Sequence, residues 1–135
     1  MEGFRVDESR WPIVVVTFPA TVTIEEYRQL FNEYDRISAR GERVGYVIDM
    51  RLFNPFKVNA AVRKQAAQTF DAHRDVLMKV TVCEARALAS PLTAGVLTAF
   101  DWLTGQKWPC KNFTSMEDAE RWVSAMMDRP PQASR

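Results

Sequence analysis

Hydroxyl side chains are missing from the middle of this sequence, because no serine or threonine lies between Ser38 and Thr69. A nucleophile or phosphorylation switch built on a hydroxyl is therefore excluded from that segment. Glycine is also scarce: the chain has 5 glycines, and no Gly-rich phosphate-binding loop is present. No apolar run approaches the roughly 20 residues that cross a bilayer. We therefore expect no transmembrane segment.

Cysteine and histidine are few, which limits metal and redox chemistry. The 2 cysteines, Cys83 and Cys110, make no disulfide framework, and we expect free thiols that behave as small hydrophobic side chains. His73 is the single histidine, and the three residues lack metal-ligand spacing. Its sequence neighbours Asp71 and Asp75 point to other faces of a helix, so neither orients the ring. We predict no metal, no cofactor and no catalytic residue.

Charge of one sign is not in excess. The chain carries 18 Lys and Arg against 17 Asp and Glu, a net charge of +1, which gives no general attraction to nucleic acid. A hydrophobic fraction of 47% over 135 residues is typical of a folded domain. We place one domain at residues 1–128 and a disordered tail at 129–135. The N-terminus lacks the apolar core of a secretory signal, so we expect a cytoplasmic protein.

Strand-like and helix-like segments alternate along the chain. The segments typical of strands are 11–18, 44–50, 79–86 and 108–113, and residues 6–10 supply either a further edge strand or its turn. Capping residues precede the helices, namely Thr23 with Glu26, Asn59, Ser90 before Pro91, and Ser115 with Asp118. This alternation predicts an α/β fold with a mixed, largely parallel sheet of four to five strands and helices packed on it. Pro109 favours an edge position for the last strand.

The segment from Val44 to Asp49 is an apolar run that ends in an acid. It is typical of a buried parallel strand, whose carboxyl edge is where partners and ligands dock in open α/β sheets. Asp49 either holds a metal or anchors a backbone amide of a partner, or, as we favour, accepts hydrogen bonds from the N–H groups of the following loop or helix. In that loop Phe53 and Phe56 either pack under the helix or form an exposed patch. The predicted partner-binding residues are Asp49, Arg51, Phe53, Asn54, Phe56, Lys57, Asn59 and Arg63.

Aromatic residues are concentrated around the last two helices: Phe100, Trp102, Trp108, Phe113 and Trp122. Such a group is more often part of the core than a cofactor site. A cavity between the third helix and the sheet would nevertheless suit a lipid or a flat apolar ligand. Phe100, Trp102 and Trp108 are the candidate ligand-binding residues. The third helix is the most apolar, and a homodimer formed through it is a further hypothesis.

Three groups of residues resemble a known superfamily. They are the strand at 11–18, the segment 41–51 that ends in Ile-Asp-Met-Arg, and a pattern from Ala89 to Val123 that includes Ser90-Pro91, Trp102 and Pro109. Together they resemble the STAS/SpoIIAA-like superfamily, specifically its small stand-alone bacterial STAS-like or STAS/SEC14-like proteins. The resemblance covers roughly residues 11–124 and rests on pattern and element order, with no single diagnostic motif.

This resemblance implies a non-enzymatic protein-interaction module in bacterial signalling. In the anti-sigma-factor antagonists of the superfamily, a partner kinase phosphorylates a serine at the start of the helix after the Asp-ended strand. Residues 54–62 of this chain hold no hydroxyl, so docking at this edge remains an expectation while phosphorylation there does not. The alternative function that the resemblance leaves open is binding of a lipid or a small apolar ligand.

Overall fold

A computed structural model describes residues 3–104 and 108–129, without the side chains at positions 99, 100 and 102–104. The strands are β1 (Arg5–Arg10), β2 (Ile13–Thr17), β3 (Val44–Met50), β4 (Thr81–Leu88) and β5 (Cys110–Phe113). The helices are α1 (Ile24–Ser38), α2 (Ala60–Met78), α3 (Pro91–Thr104) and α4 (Met116–Asp128), and a short 3-10 turn covers Pro55–Lys57. Beyond Arg129, the tail predicted at 129–135 lies outside the described residues.

The described strands form one five-stranded sheet in sequence order, β1-β2-β3-β4-β5. β1 pairs antiparallel with β2, and every later neighbour is parallel. The predicted α/β class and largely parallel sheet are thus confirmed, and the optional strand before residue 11 is present as β1. Right-handed crossovers between parallel neighbours place α1, α2 and α3 on one face of the sheet, whereas α4 packs on the other.

Three strands begin later than the sequence pattern predicts, and one of them is β5, which starts at Cys110 instead of residue 108. The segment 11–18 becomes β2 only from Ile13, because the Trp11 N–H donates to the Glu8 carbonyl (3.1 Å) in the turn after β1. The segment 79–86 becomes β4 at Thr81–Leu88, because α2 continues to Met78. Leu88 then pairs with Met50 at the far end of the sheet. At β2 and β4 the difference arises because a turn includes a residue of high strand propensity, Trp11 or Val80.

Side-chain caps fix where three helices begin. The Glu26 N–H donates to Thr23 Oγ1 (3.1 Å), and the Thr23 N–H donates back to the Glu26 carboxylate (3.0 Å), which completes the predicted capping box. Asn59 Oδ1 accepts from the Val62 N–H (2.8 Å), and Ser115 Oγ accepts from the Asp118 N–H (3.3 Å). Among the described residues, none of the helices has the length and apolar character needed to cross a bilayer.

Alternation along the central strand separates two cores. Val44, Tyr46, Ile48 and Met50 pack toward α1 and α3, while Val47 packs with Ala119 and Val123 of α4. Gly45 lies on the α4 face, where a Cβ added to the glycine would approach Val123 Cγ1 to 2.8 Å. The absence of a side chain at Gly45 therefore lets α4 lie close to the sheet.

Candidate functional site

A cavity of about 140 Å³ lies between the sheet and the helices α1, α2 and α3. Its lining extends from Thr81, the first residue of β4, to Phe53 and Pro55 beyond the carboxyl end of β3. Most of the lining is apolar, and its aromatic members include Tyr27, Phe31, Tyr34, Tyr46, Phe70 and Trp108. A dry cavity of roughly 150 Å³ lined by aliphatic and aromatic side chains binds benzene. The space is therefore large enough for one ring-sized molecule.

Two charged residues of β4 border this apolar space. Cys83 and Ala85 pack with α4, so the alternation of the strand turns Glu84 and Arg86 toward the cavity. Because helices cover both faces of the sheet, this orientation buries Arg86, which is only 4% exposed, and leaves Glu84 partly buried. Buried charges are rare in proteins unless they are paired.

Arg86 is paired with two carboxylates. Its Nε donates to Glu84 Oε2 (2.7 Å), and Nη1 and Nη2 donate to the two oxygens of Asp101 (3.0 and 2.8 Å). Glu84 also accepts a hydrogen bond from Trp108 Nε1 (3.1 Å). Burial acts to lower the pKa of Arg86, but the nearby carboxylates outweigh it and hold that pKa well above its ordinary value. The guanidinium therefore stays charged and locked in place.

Two cavity-lining residues carry a hydroxyl that has no hydrogen-bond partner among the described residues. Tyr46 Oη and Thr81 Oγ1 are buried without a hydrogen bond to any described residue, and the two residues are 3% and 5% exposed. Burial raises the pKa of Tyr46 well above its usual value, so its hydroxyl remains a neutral donor. A buried polar group left unsatisfied costs about 1–3 kcal/mol. Such groups call for an explanation in a folded protein.

Asp49 is bound by its own loop, as the interpretation favoured from the sequence expected. The Arg51 N–H donates to Asp49 Oδ1 (3.1 Å), and the Arg51 guanidinium donates to both carboxylate oxygens (2.9 Å each). These hydrogen bonds from Arg51 lower the pKa of Asp49, although burial opposes the shift. Asp49 follows Val47 at a spacing of two, so it lies on the face opposite the cavity.

Replacing Asp49 with asparagine is expected to lower the free energy of unfolding by about 1 kcal/mol at neutral pH. Because the folded-state pKa of Asp49 lies below that of the unfolded chain, its contribution is complete above the ordinary aspartate pKa of about 3.9 and is lost as pH falls through the folded value. Urea unfolding near pH 7 and near pH 3 measures the difference. Asp75→Asn, at an exposed position on α2, is the control. This account would be contradicted if Asp49→Asn and wild type differed in free energy of unfolding by as much near pH 3 as near pH 7.

The two phenylalanines of the loop after β3 have opposite environments. Phe53 packs edge-on against Phe18, with ring centroids 5.4 Å apart, and lines the cavity. Phe56 is 59% exposed and Leu52 is 71% exposed. Phe53 is therefore partly buried against the core, whereas Phe56 is exposed.

The other predicted partner-binding residues lie on the same loop or at the start of α2. Asn54 accepts a hydrogen bond from the Phe56 N–H (3.1 Å), and Asn59 caps α2, so both amides shape the backbone. Arg63 donates to the Val58 carbonyl (2.6 Å) and lines the cavity. Lys57 is exposed. The structure thus brings these residues to one edge, although Asp49, Asn54 and Asn59 also have local structural roles.

The aromatic group near the C-terminus is divided between the two faces of the sheet. Trp108 is buried and lines the cavity, as the candidate ligand-binding role requires. Trp122 and Phe113 pack instead with the α4 core, their ring centroids 6.1 Å apart. The side chains of the other two candidates, Phe100 and Trp102, lie outside the described residues.

His73 contacts a carboxylate that is distant in sequence. Its Nδ1 lies 2.9 Å from Oδ1 of Asp35 on α1, and His73 is not among the residues that line the cavity. The Cys110 thiol lies 3.7 Å from Glu84 Oε2, and burial raises the pKa of the Cys83 thiol to about 11. Within residues 3–104 and 108–129, no group of three or more metal-ligating side chains is present.

Sequence reasoning missed the polar residues of the cavity. The available signal was the spacing of two between Glu84 and Arg86 in a strand that alternates with Cys83 and Ala85. In a sheet covered on both faces, that spacing buries both charges on one side. Asp101 carried no such signal, since only the packing of α3 brings it to Arg86.

No protein-family model matches the chain, and no curated protein matches it.

Proposed function

We propose that this protein is a non-enzymatic binding module whose cavity holds a small, largely apolar molecule. The observation that carries the proposal is an aromatic-lined space bordered by the paired side chains of Glu84 and Arg86. Ligand pockets typically combine apolar walls with a few placed polar groups that fix orientation. Trp108, the candidate ligand-binding residue whose side chain is described, is part of that lining.

The size of the cavity favours a ring-sized molecule over a whole lipid. A volume of about 140 Å³ is close to the roughly 150 Å³ that accommodates one benzene. A diacyl lipid would need the helices to separate from the sheet. The buried cluster of Phe31, Phe70, Leu77 and Trp108 opposes such separation.

A substitution that fills the cavity tests this function. Ala66 of α2 lines the cavity, and Ala66→Phe is expected to abolish binding of benzene and of phenol. Ala72→Phe, at an exposed position of the same helix, is the matched control and keeps binding. The amide shifts of β3 and α1 in two-dimensional NMR spectra report on binding, and a thermal melt reports whether each variant folds.

The milder variant Ala66→Leu keeps the test decisive if the phenylalanine variant does not fold. Two outcomes would overturn the proposal: neither probe shifts any amide at the cavity, or the same shifts persist in folded Ala66→Leu and Ala66→Phe proteins. Native mass spectrometry of protein purified from its source then identifies the natural ligand by mass.

A second function, docking of a protein partner, is supported by a separate surface. Leu52, Phe56 and Leu92 are 71%, 59% and 74% exposed. They follow the carboxyl ends of the adjacent strands β3 and β4, whose last residues pair with each other, so they lie at one edge of the sheet. Large exposed apolar side chains gathered at one place mark interaction surfaces.

The charge around this edge indicates the chemistry of the partner. No acidic residue lies between Asp49 and Asp71, whereas that segment carries Arg51, Lys57, Arg63 and Lys64. Complementary charge steers association and suppresses wrong partners. The partner that we propose therefore presents an acidic surface with apolar side chains at its centre.

The docking proposal is tested by exchanging apolar and charged residues separately. Leu52→Ser with Phe56→Ser, and Lys57→Glu with Lys64→Glu, are each expected to reduce recovery of a cross-linked partner by about tenfold or more. Val76→Ser, at a position 43% exposed on α2, is the control. Phe53 is not substituted in this test, because it packs against the core and its replacement would also affect folding. The proposal would be contradicted if recovery of the partner were unchanged in both double variants, or if the partner had no acidic surface.

A further inference from the structure

The loop between β3 and α2 has two sides with different environments. Phe53 and Pro55 line the cavity, Phe53 packs against the core, and Pro55 is buried. Leu52 and Phe56, which flank these two residues in the sequence, do not line the cavity and are 71% and 59% exposed. One short segment therefore forms both a wall of the cavity and part of the exposed apolar edge.

Backbone hydrogen bonds make this loop a single turn. The Phe56 N–H donates to Asn54 Oδ1 (3.1 Å), and the Val58 N–H donates to the Pro55 carbonyl (3.2 Å). The Asn54 N–H donates to the Ala20 carbonyl (3.2 Å), which joins the turn to the loop after β2. Because the exposed Phe56 and the buried Pro55 belong to the same hydrogen-bonded turn, a displacement of one also displaces the other.

A molecule bound in the cavity favours one position of this loop. A ring-sized molecule gains dispersion contacts with Phe53 and Pro55, and it gains them only while both residues lie against the cavity. It therefore stabilises the packed loop relative to any conformation in which these residues have moved away. The differential contact is what allows a ligand to shift such an equilibrium.

A partner at the exposed edge favours the same position of the loop. The proposed docking surface combines Leu52 and Phe56 with Leu92, and α3, which carries Leu92, contacts the turn at Pro55–Lys57. A loop displaced from the cavity would move Leu52 and Phe56 relative to Leu92. Two distinct sites thus favour one conformation of a shared element, which is the condition for energetic coupling between them.

From these observations we infer that the cavity regulates the docking surface: a small apolar molecule bound in the cavity fixes the 52–58 loop and thereby raises the affinity for the acidic partner. This inference rests on the proposed function and on the second, docking function, and it connects them. By linkage, the partner raises the affinity for the molecule by the same factor. The protein then acts as a sensor of a small molecule, and its output is association with another protein.

Hydrogen exchange of single backbone amides tests the coupling within the loop. We expect benzene at about ten times its dissociation constant to slow exchange of the Asn54, Phe56 and Val58 amides by about tenfold, because the displaced loop does not bind benzene. Phenol replaces benzene if it binds more tightly. The Trp11 amide is the control: it also closes a turn, donating to the Glu8 carbonyl (3.1 Å), but Trp11 does not line the cavity. Its exchange rate should not change.

The cavity-filling variant shows whether the effect comes from the cavity. In Ala66→Phe, or in Ala66→Leu if the phenylalanine variant does not fold, the probe should leave the exchange rates of the three loop amides unchanged. Ala72→Phe should respond as the wild type does. In the wild type the same probe concentration should raise recovery of the cross-linked acidic partner by about fivefold or more, and in Ala66→Phe it should have no effect.

The outcomes separate this inference from the proposals on which it rests. The inference is overturned, and the cavity remains a binding site, if the probe binds but the loop amides exchange as fast as before or the Trp11 amide slows equally. Partner recovery that is equal with and without the probe also overturns it. If neither benzene nor phenol binds, the proposed function fails and the inference with it. If no partner with an acidic surface is recovered, the docking function fails and again removes the inference.

Discussion

Replacing Arg86 with methionine is expected to lower the free energy of unfolding by about 3 kcal/mol, the largest effect among the substitutions considered for this protein. Arg86 is 4% exposed and forms three hydrogen bonds to Glu84 and Asp101. Methionine fills most of the volume of the arginine side chain, so the loss of stability comes mainly from removing the positive charge of Arg86. Glu84 would remain buried beside the cavity without its counter-ion. Urea unfolding followed by circular dichroism measures the change.

The double variant Arg86→Met with Glu84→Gln is the control for this explanation. Glutamine removes the uncompensated charge but keeps an oxygen that accepts from Trp108 Nε1. We expect the double variant to recover at least about half of the lost stability, since removing one partner of a buried pair costs more than replacing both. A double variant less stable than Arg86→Met alone would contradict the electrostatic explanation.

Replacing Gly45 with alanine is expected to lower the free energy of unfolding by about 2 kcal/mol, as overpacking of a tight core does. A Cβ at this position would lie 2.8 Å from Val123 Cγ1 and 3.0 Å from Met127 Sδ. Either α4 moves away from the sheet or the side chains leave their favoured rotamers. Chemical denaturation of the variant and the wild type gives the difference.

Two further variants separate this steric effect from the general effect of replacing glycine. Gly95→Ala, on α3 where no described atom lies within 4 Å of the added Cβ, should stabilise the protein by about 0.5–1 kcal/mol. Gly45→Ala with Val123→Ala should cost about 1 kcal/mol less than the sum of the single changes, because the closest clash is removed. Additive effects would indicate that α4 is not in close contact at this point.

The fold was largely predictable because its signals are local. Thr23 with Glu26, Asn59 and Ser115 mark helix starts through side chains that cap the neighbouring backbone, and each cap is present. Pro109 correctly indicated an edge strand. The displaced start of β4 shows the limit, because Lys79 and Val80 fit a strand pattern but form the turn that ends α2.

The candidate site was much less predictable because its contacts join distant segments. Arg86 and Asp101 are 15 residues apart, and His73 and Asp35 are 38 residues apart. No spacing of residues in the sequence predicts either of these two contacts. That the Tyr46 and Thr81 hydroxyls lack hydrogen-bond partners among the described residues is harder still to predict, since it depends on where all the surrounding polar atoms lie. The loop after β3 shows the same difficulty, because burial of Phe53 and exposure of Phe56 follow from a short turn at Pro55–Lys57.

The two outer strands of the sheet restrict how copies of this protein could associate. β1 carries four charged side chains, Arg5, Asp7, Glu8 and Arg10, and its pairing with β2 is irregular between Asp7 and Arg10. At the other margin β5 has 4 residues and follows Pro109. Charges, bulges and short length all discourage strand addition from a neighbouring molecule. A homodimer, if this chain forms one, would therefore join through helical surfaces and not by continuing the sheet across two molecules.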